Sequence, residues 1–111
     1  MNITRSDRPG IVLLKLDGKF DIEQTEHFQK TFEDMPDKGI TFGIDMSDLN
    51  FIDSSGMGTL IKTLNQVKNA GGQMILFGLK PMILNVFKLA KLDNFFKVMP
   101  AAEFDRAYPV D

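Results

Sequence analysis

The stretch Asp53-Ser54-Ser55-Gly56-Met57-Gly58, preceded by the run Ile40-Thr41-Phe42-Gly43-Ile44-Asp45-Met46, decides how this chain reads. Ile40, Phe42, Ile44 and Met46 recur at every second position, the period of a strand with one buried face. From Met57 the period changes. Met57, Leu60, Ile61, Leu64 and Val67 share one side of a helix, while Lys62, Thr63 and Gln66 face away. Hydroxyl and carboxylate groups are thus gathered where a strand exit turns into a helix. Such an N-terminus has unpaired N–H groups and a partial positive charge, so it suits anions, phosphate included. Asp and Ser are also preferred caps, each worth about 1 kcal/mol. Gly56 and Gly58 fit capping less well, because each weakens a first turn by roughly 0.5–1 kcal/mol relative to alanine. Two glycines beside two serines imply the close approach of another group. From spacing alone, a bare cap and a phosphate or partner site both stay open.

Working outward, residues 2–6 and 11–16 read as a hairpin joined by Arg8-Pro9-Gly10, with Asp17-Gly18 ending the second strand. Asp21 is placed to cap a helix over 22–35, with Phe28, Phe32 and Met35 on one face and Pro36 and Gly39 ending it. Beyond the central helix, Gly71-Gly72 is a stop and residues 73–77 form a strand. Pro81 opens a helix whose Ile83, Val86, Phe87 and Ala90 share a face. Residues 95–98 suit a short strand and 100–108 a terminal helix with Phe104 inward. The order β-β-α-β-α-β-α-β-α makes an α/β fold with a mixed sheet. Since the strand over 40–46 alternates rather than running continuously apolar, helices are expected on one face only.

The 111 residues suffice for a single domain over 1–111, and 43% apolar with 25% charged residues is ordinary for a globular protein. The lack of cysteine excludes disulfides, thiolate metal sites and cysteine nucleophiles. A net charge of −2 argues against nucleic acid. The start of the chain lacks the apolar core of a signal peptide, and the most apolar helix is too short to span a bilayer. A cytoplasmic protein that does not engage membrane is expected. No Gly-x-Ser-x-Gly elbow is present and the one histidine is His27, so a serine hydrolase is disfavoured. Leu13-Leu14-Lys15-Leu16 lacks the acidic pair of a phospho-aspartate receiver. Asp45, Asp48 and Asp53 lack the alternation of a calcium loop, and no phosphate-cradling loop carries a lysine. No cofactor, no metal and no enzymatic activity are expected.

The run from Ile44 to Gly58, read as Ile44-Asp45-Met46-Ser47-Asp48-Leu49-Asn50-Phe51-Ile52-Asp53-Ser54-Ser55-Gly56-Met57-Gly58, resembles the signature of STAS domains, specifically bacterial anti-sigma factor antagonists. Gly18-Lys19-Phe20-Asp21 is similar to the family's loop before its first helix. Leu79-Lys80-Pro81 and the segment through Leu92-Asp93-Asn94-Phe95-Phe96 resemble its third helix and following turn. Met57 stands where leucine is commoner, a volume-conserving change. The resemblance implies a non-enzymatic switch. Unphosphorylated, it binds an anti-sigma factor that is also a serine kinase; phosphorylation, at the position matching Ser55, releases it. A PP2C-type phosphatase resets the cycle. Asp21, Asp53, Ser54, Ser55, Gly56, Met57, Gly58 and Thr59 are then the expected partner-binding residues, on a monomer or weak dimer. A non-switching STAS scaffold subunit of a larger signalling or transport assembly is the alternative.

Overall fold

The computed structural model describes residues 1–34 and 38–110. Strands β1 (Asn2–Arg8) and β2 (Ile11–Phe20) form the hairpin, and a 3-10 turn (Ile22–Gln24) leads into α1 (Thr25–Glu33). Then follow β3 (Thr41–Ile52), α2 (Ser54–Asn69), β4 (Gln73–Phe77), α3 (Pro81–Leu89), β5 (Lys97–Met99) and α4 (Ala101–Ala107). The strands lie in the order β1-β2-β3-β4-β5, antiparallel between β1 and β2 and parallel elsewhere. The mixed α/β sheet expected from the sequence is therefore present. Of the expected end of the first helix, Met35 and Pro36 lie outside the described residues.

Two strands run further than their sequence pattern suggests. β2 continues through Asp17-Gly18 to Phe20, and β3 continues past Met46 to Ile52. Their register slips between Lys15 and Asp17 and again between Gly18 and Lys19, each time with an extra residue on β3. A bulge of this kind breaks the period of two. Met46, Leu49 and Ile52 are consequently all buried at a spacing of three. This is why alternation ends at Met46 while the strand does not.

One face of the sheet carries Leu14, Leu16, Ile44, Met46, Met74 and Leu76 against Phe28 of α1, Leu60 and Leu64 of α2, and Ile83 and Phe87 of α3. The expectation of one-sided coverage holds for these helices and fails for α4. Phe104 of α4 packs on the opposite face with Ile11, Leu13, Ile75 and Phe77. Its ring stacks on Phe77 with centroids 3.7 Å apart, and a Cβ built on Gly43 would lie 2.6 Å from its Cζ. Gly43 reads as a gap in an alternating strand, but it is the socket for a ring. Arg8 secures α4 by donating to Asp105 (2.8 Å) and to the Tyr108 carbonyl (3.0 Å). Elsewhere this face is polar, with Lys15 paired to Asp48 at 2.8 Å. The lysine hydrogen bond and charge hold the Asp48 carboxyl below its ordinary range.

Gly43→Ala should destabilise the protein by about 1–3 kcal/mol in urea unfolding, the usual cost of overpacking. Combined with Phe104→Ala it should cost less than the sum of the two, because removing the ring frees the space the methyl needs.

Candidate functional site

Because β2 and β3 are parallel and end in register, Phe20 pairs with Ile52 and the chain leaves the sheet at two adjacent points. Each exit has the same local chemistry: a buried apolar residue followed by an aspartate that caps a helical turn. The Asp21 carboxylate accepts the Glu23 N–H (3.1 Å) at the start of the 3-10 turn. The Asp53 carboxylate accepts the Gly56 N–H (2.8 Å) at the start of α2. Both aspartates have extended backbone, as N-caps require. Asp53 is thus the cap, and it is the single residue between β3 and α2.

The two exits are locked together. The Asp53 N–H donates to the Phe20 carbonyl at 3.2 Å. That same oxygen lies 2.5 Å from where a Gly56 Cβ would stand, with Phe20 Cδ1 at 2.9 Å and Ile52 Cγ1 at 3.0 Å. Only glycine fits there, so the close approach implied by the sequence is made by the chain itself. A Cβ built on Gly58 would meet no other part of the chain within 4 Å, and the residue is exposed. Its lack of a side chain leaves bare helix surface.

The first turns of α2 divide by exposure. Ser54 and Gly58 face solvent, and Asp21, Asp53 and Ser55 are half-buried. Among the described residues the Ser55 hydroxyl has no hydrogen-bond partner, whereas its carbonyl accepts from the Thr59 hydroxyl at 2.9 Å. Gly56, Met57 and Thr59, expected with the others to bind a partner, are turned inward. Met57 is 8% exposed within the main core, Thr59 is 6% exposed, and Gly56 is buried under Phe20. They support the turn that presents the serines. Residues the sequence reading missed lie on the same rim. Ile22 is 68% and Phe51 45% exposed, large apolar side chains directly following Asp21 and preceding Ile52. Lys80, at the start of α3, hydrogen-bonds the neighbouring Asn50. Phe51 carried a detectable signal, an aromatic beside the serine motif, but the bulges hid which way it points.

A sheet of this order, with helices at these positions and a serine pair on a capped helix start, defines a small α/β domain. The family model for the STAS domain matches residues 2–104, and the chain belongs to that family. It is 19% identical over 103 residues to the anti-sigma-B factor antagonist of Bacillus subtilis, covering 93% of this chain and 94% of that one. Among solved structures it is similar to TM1081 of Thermotoga maritima, a candidate anti-sigma factor antagonist, with TM-score 0.82, 23% identity, and 95% and 92% of the chains covered. It is also similar to the Bacillus cell fate determinant SpoIIAA in its phosphorylated form, with TM-score 0.68, 22% identity, and 96% and 99% covered. At such identities the solved structures establish the fold. Among the described residues no helix is long and apolar enough to cross a membrane, and no group of acidic or histidine side chains could hold a metal ion.

Opposite effects are expected from the two glycines of the motif. Gly58→Ala should stabilise the protein by about 0.5–1 kcal/mol, as in any open helix interior. Gly56→Ala should destabilise it by about 1–3 kcal/mol, because backbone must move. Urea denaturation of both variants checks this.

Proposed function

We propose that this protein is an anti-sigma factor antagonist that works as a phosphorylation-controlled interaction switch and catalyses no reaction itself. In this reading one domain over 1–111, a cytoplasmic monomer or weak dimer, binds an anti-sigma factor that is also a serine kinase. The kinase phosphorylates Ser55, the complex separates, and a PP2C-type phosphatase restores the binding form.

The observation that carries the reading is the state of Ser55: a half-buried residue at the start of α2, two positions after the capping Asp53 and next to exposed Ser54, whose hydroxyl has no hydrogen-bond partner among the described residues. Exposed apolar Ile22 and Phe51, on the segments that form the two strand exits, suit a protein partner better than a small polar substrate. Phosphorylation would add a charge of about −1.5 to −2 next to Asp53 and close to Asp21. The free N–H groups of the helix start can accept that charge without refolding of the domain. An interface shaped for a neutral hydroxyl would instead have to desolvate a dianion. A penalty of about 3 kcal/mol weakens binding roughly a hundredfold, enough for a switch.

Incubation with candidate anti-sigma factor kinases and ATP, followed by peptide mapping, should place the phosphate on Ser55, and Ser55→Ala should abolish it. Ser55→Asp should weaken binding of that kinase by about a hundredfold. Phosphate on Ser54, or undiminished binding by Ser55→Asp, contradicts the reading.

A further inference from the structure

We propose that Gly56 is a positioning residue: its seat against the Phe20 carbonyl holds Asp21 and the Ser55 hydroxyl in one epitope that the kinase reads as a unit. The inference rests on the reading of Ser55 as the acceptor. Asp21 and Ser55 come from segments separated by the whole of α1 and β3, yet each is one residue from the same contact. The carbonyl that a Gly56 Cβ would meet at 2.5 Å belongs to the residue before Asp21, and Ser55 immediately precedes Gly56. The neighbouring atoms offer no relief. The oxygen is backbone, it already accepts the Asp53 N–H, and its residue sits in the last paired position of β2.

Both flanking groups are held on their own side of the contact. The Asp21 carboxylate is tied to the Glu23 N–H, and the Ser55 carbonyl to the Thr59 hydroxyl. The Asp21 side chain cannot swing to compensate without breaking its bond, and the Ser55 hydroxyl is carried by a turn whose backbone is fixed through that carbonyl. A methyl at position 56 must therefore lift the first turn of α2 from the end of β2 and part Ser55 from Asp21. Displacements of this order cost up to about a hundredfold where a reacting hydroxyl must meet a fixed phosphoryl donor. Gly58, two residues on, has no such neighbour.

The test uses steady-state phosphorylation of Ser55 by the serine kinase that binds the wild-type chain, with ATP. Wild type, Gly56→Ala, Asp21→Asn and the double variant are compared. All carry Lys91→Gly, which relieves a left-handed φ of 59° remote from the site and offsets lost stability. Gly56→Ala should raise KM at least about tenfold per folded molecule, and the double variant should be no worse than Asp21→Asn, because Gly56 acts through the pairing with Asp21. An unchanged KM, or effects of the two changes that multiply, overturns the proposal. If Gly56→Ala does not fold, a glycine inserted between Phe20 and Asp21 displaces Asp21 while leaving the carbonyl seat intact. The same rise in KM is expected, and an unchanged KM overturns the proposal. A wild-type chain that no kinase phosphorylates on Ser55 overturns the acceptor reading and this proposal with it. Phosphorylated wild type with an indifferent Gly56→Ala overturns the proposal alone.

Discussion

The Phe20 carbonyl is the point on which the functional end of this molecule rests. It accepts the Asp53 N–H, and it leaves space at Gly56 for a hydrogen atom alone. Two parallel strands would otherwise end as independent loops. Through this oxygen, the exit of β2 and the start of α2 become one rigid surface carrying two capping aspartates and a serine hydroxyl with no hydrogen-bond partner among the described residues. The cores on either side of the sheet hold the strands that make this possible.

Rigidity of that kind suits a switch that acts by local charge. A preformed helix start has N–H groups already oriented, so a phosphate there needs no rearrangement to be tolerated. Met57, Thr59 and Gly56 point inward and are already packed, which leaves little for the modification to disturb within the domain. In the proposed switch the change would be felt by a partner docked on Ser54, Gly58, Ile22 and Phe51. Bare helix at Gly58 lets a partner approach the backbone closely, and exposed apolar side chains give it area to bury.

Much of this was legible from residues. Alternation in 40–46, the helical stripe from Met57 to Val67 and the Asp-Ser-Ser-Gly run place an anion-tolerant helix start at a strand exit. What escaped has specific physical causes. Bulges shift β3 by one residue twice, so the spacing Met46, Leu49, Ile52 no longer looks like a strand. Gly43 appears polar-neutral in a pattern count, although it is the hollow that seats Phe104 and brings α4 to the second face. Burial of Thr59 is equally invisible, because a hydroxyl that bonds back to the Ser55 carbonyl satisfies itself inside a helix. The partner of Gly56 is a backbone atom 36 residues away, and no side-chain pattern reports it.

In the proposed cycle the Ser55 phosphate acts locally on a preformed surface. The most direct test of this is a comparison of backbone amide NMR spectra of the unmodified protein and of the protein with phosphoserine installed at position 55. Shift changes confined to the end of β2, the 3-10 turn and the first turns of α2 are predicted. Changes spreading into β4, α3 and α4 would mean that the modification reshapes the fold, and would contradict it.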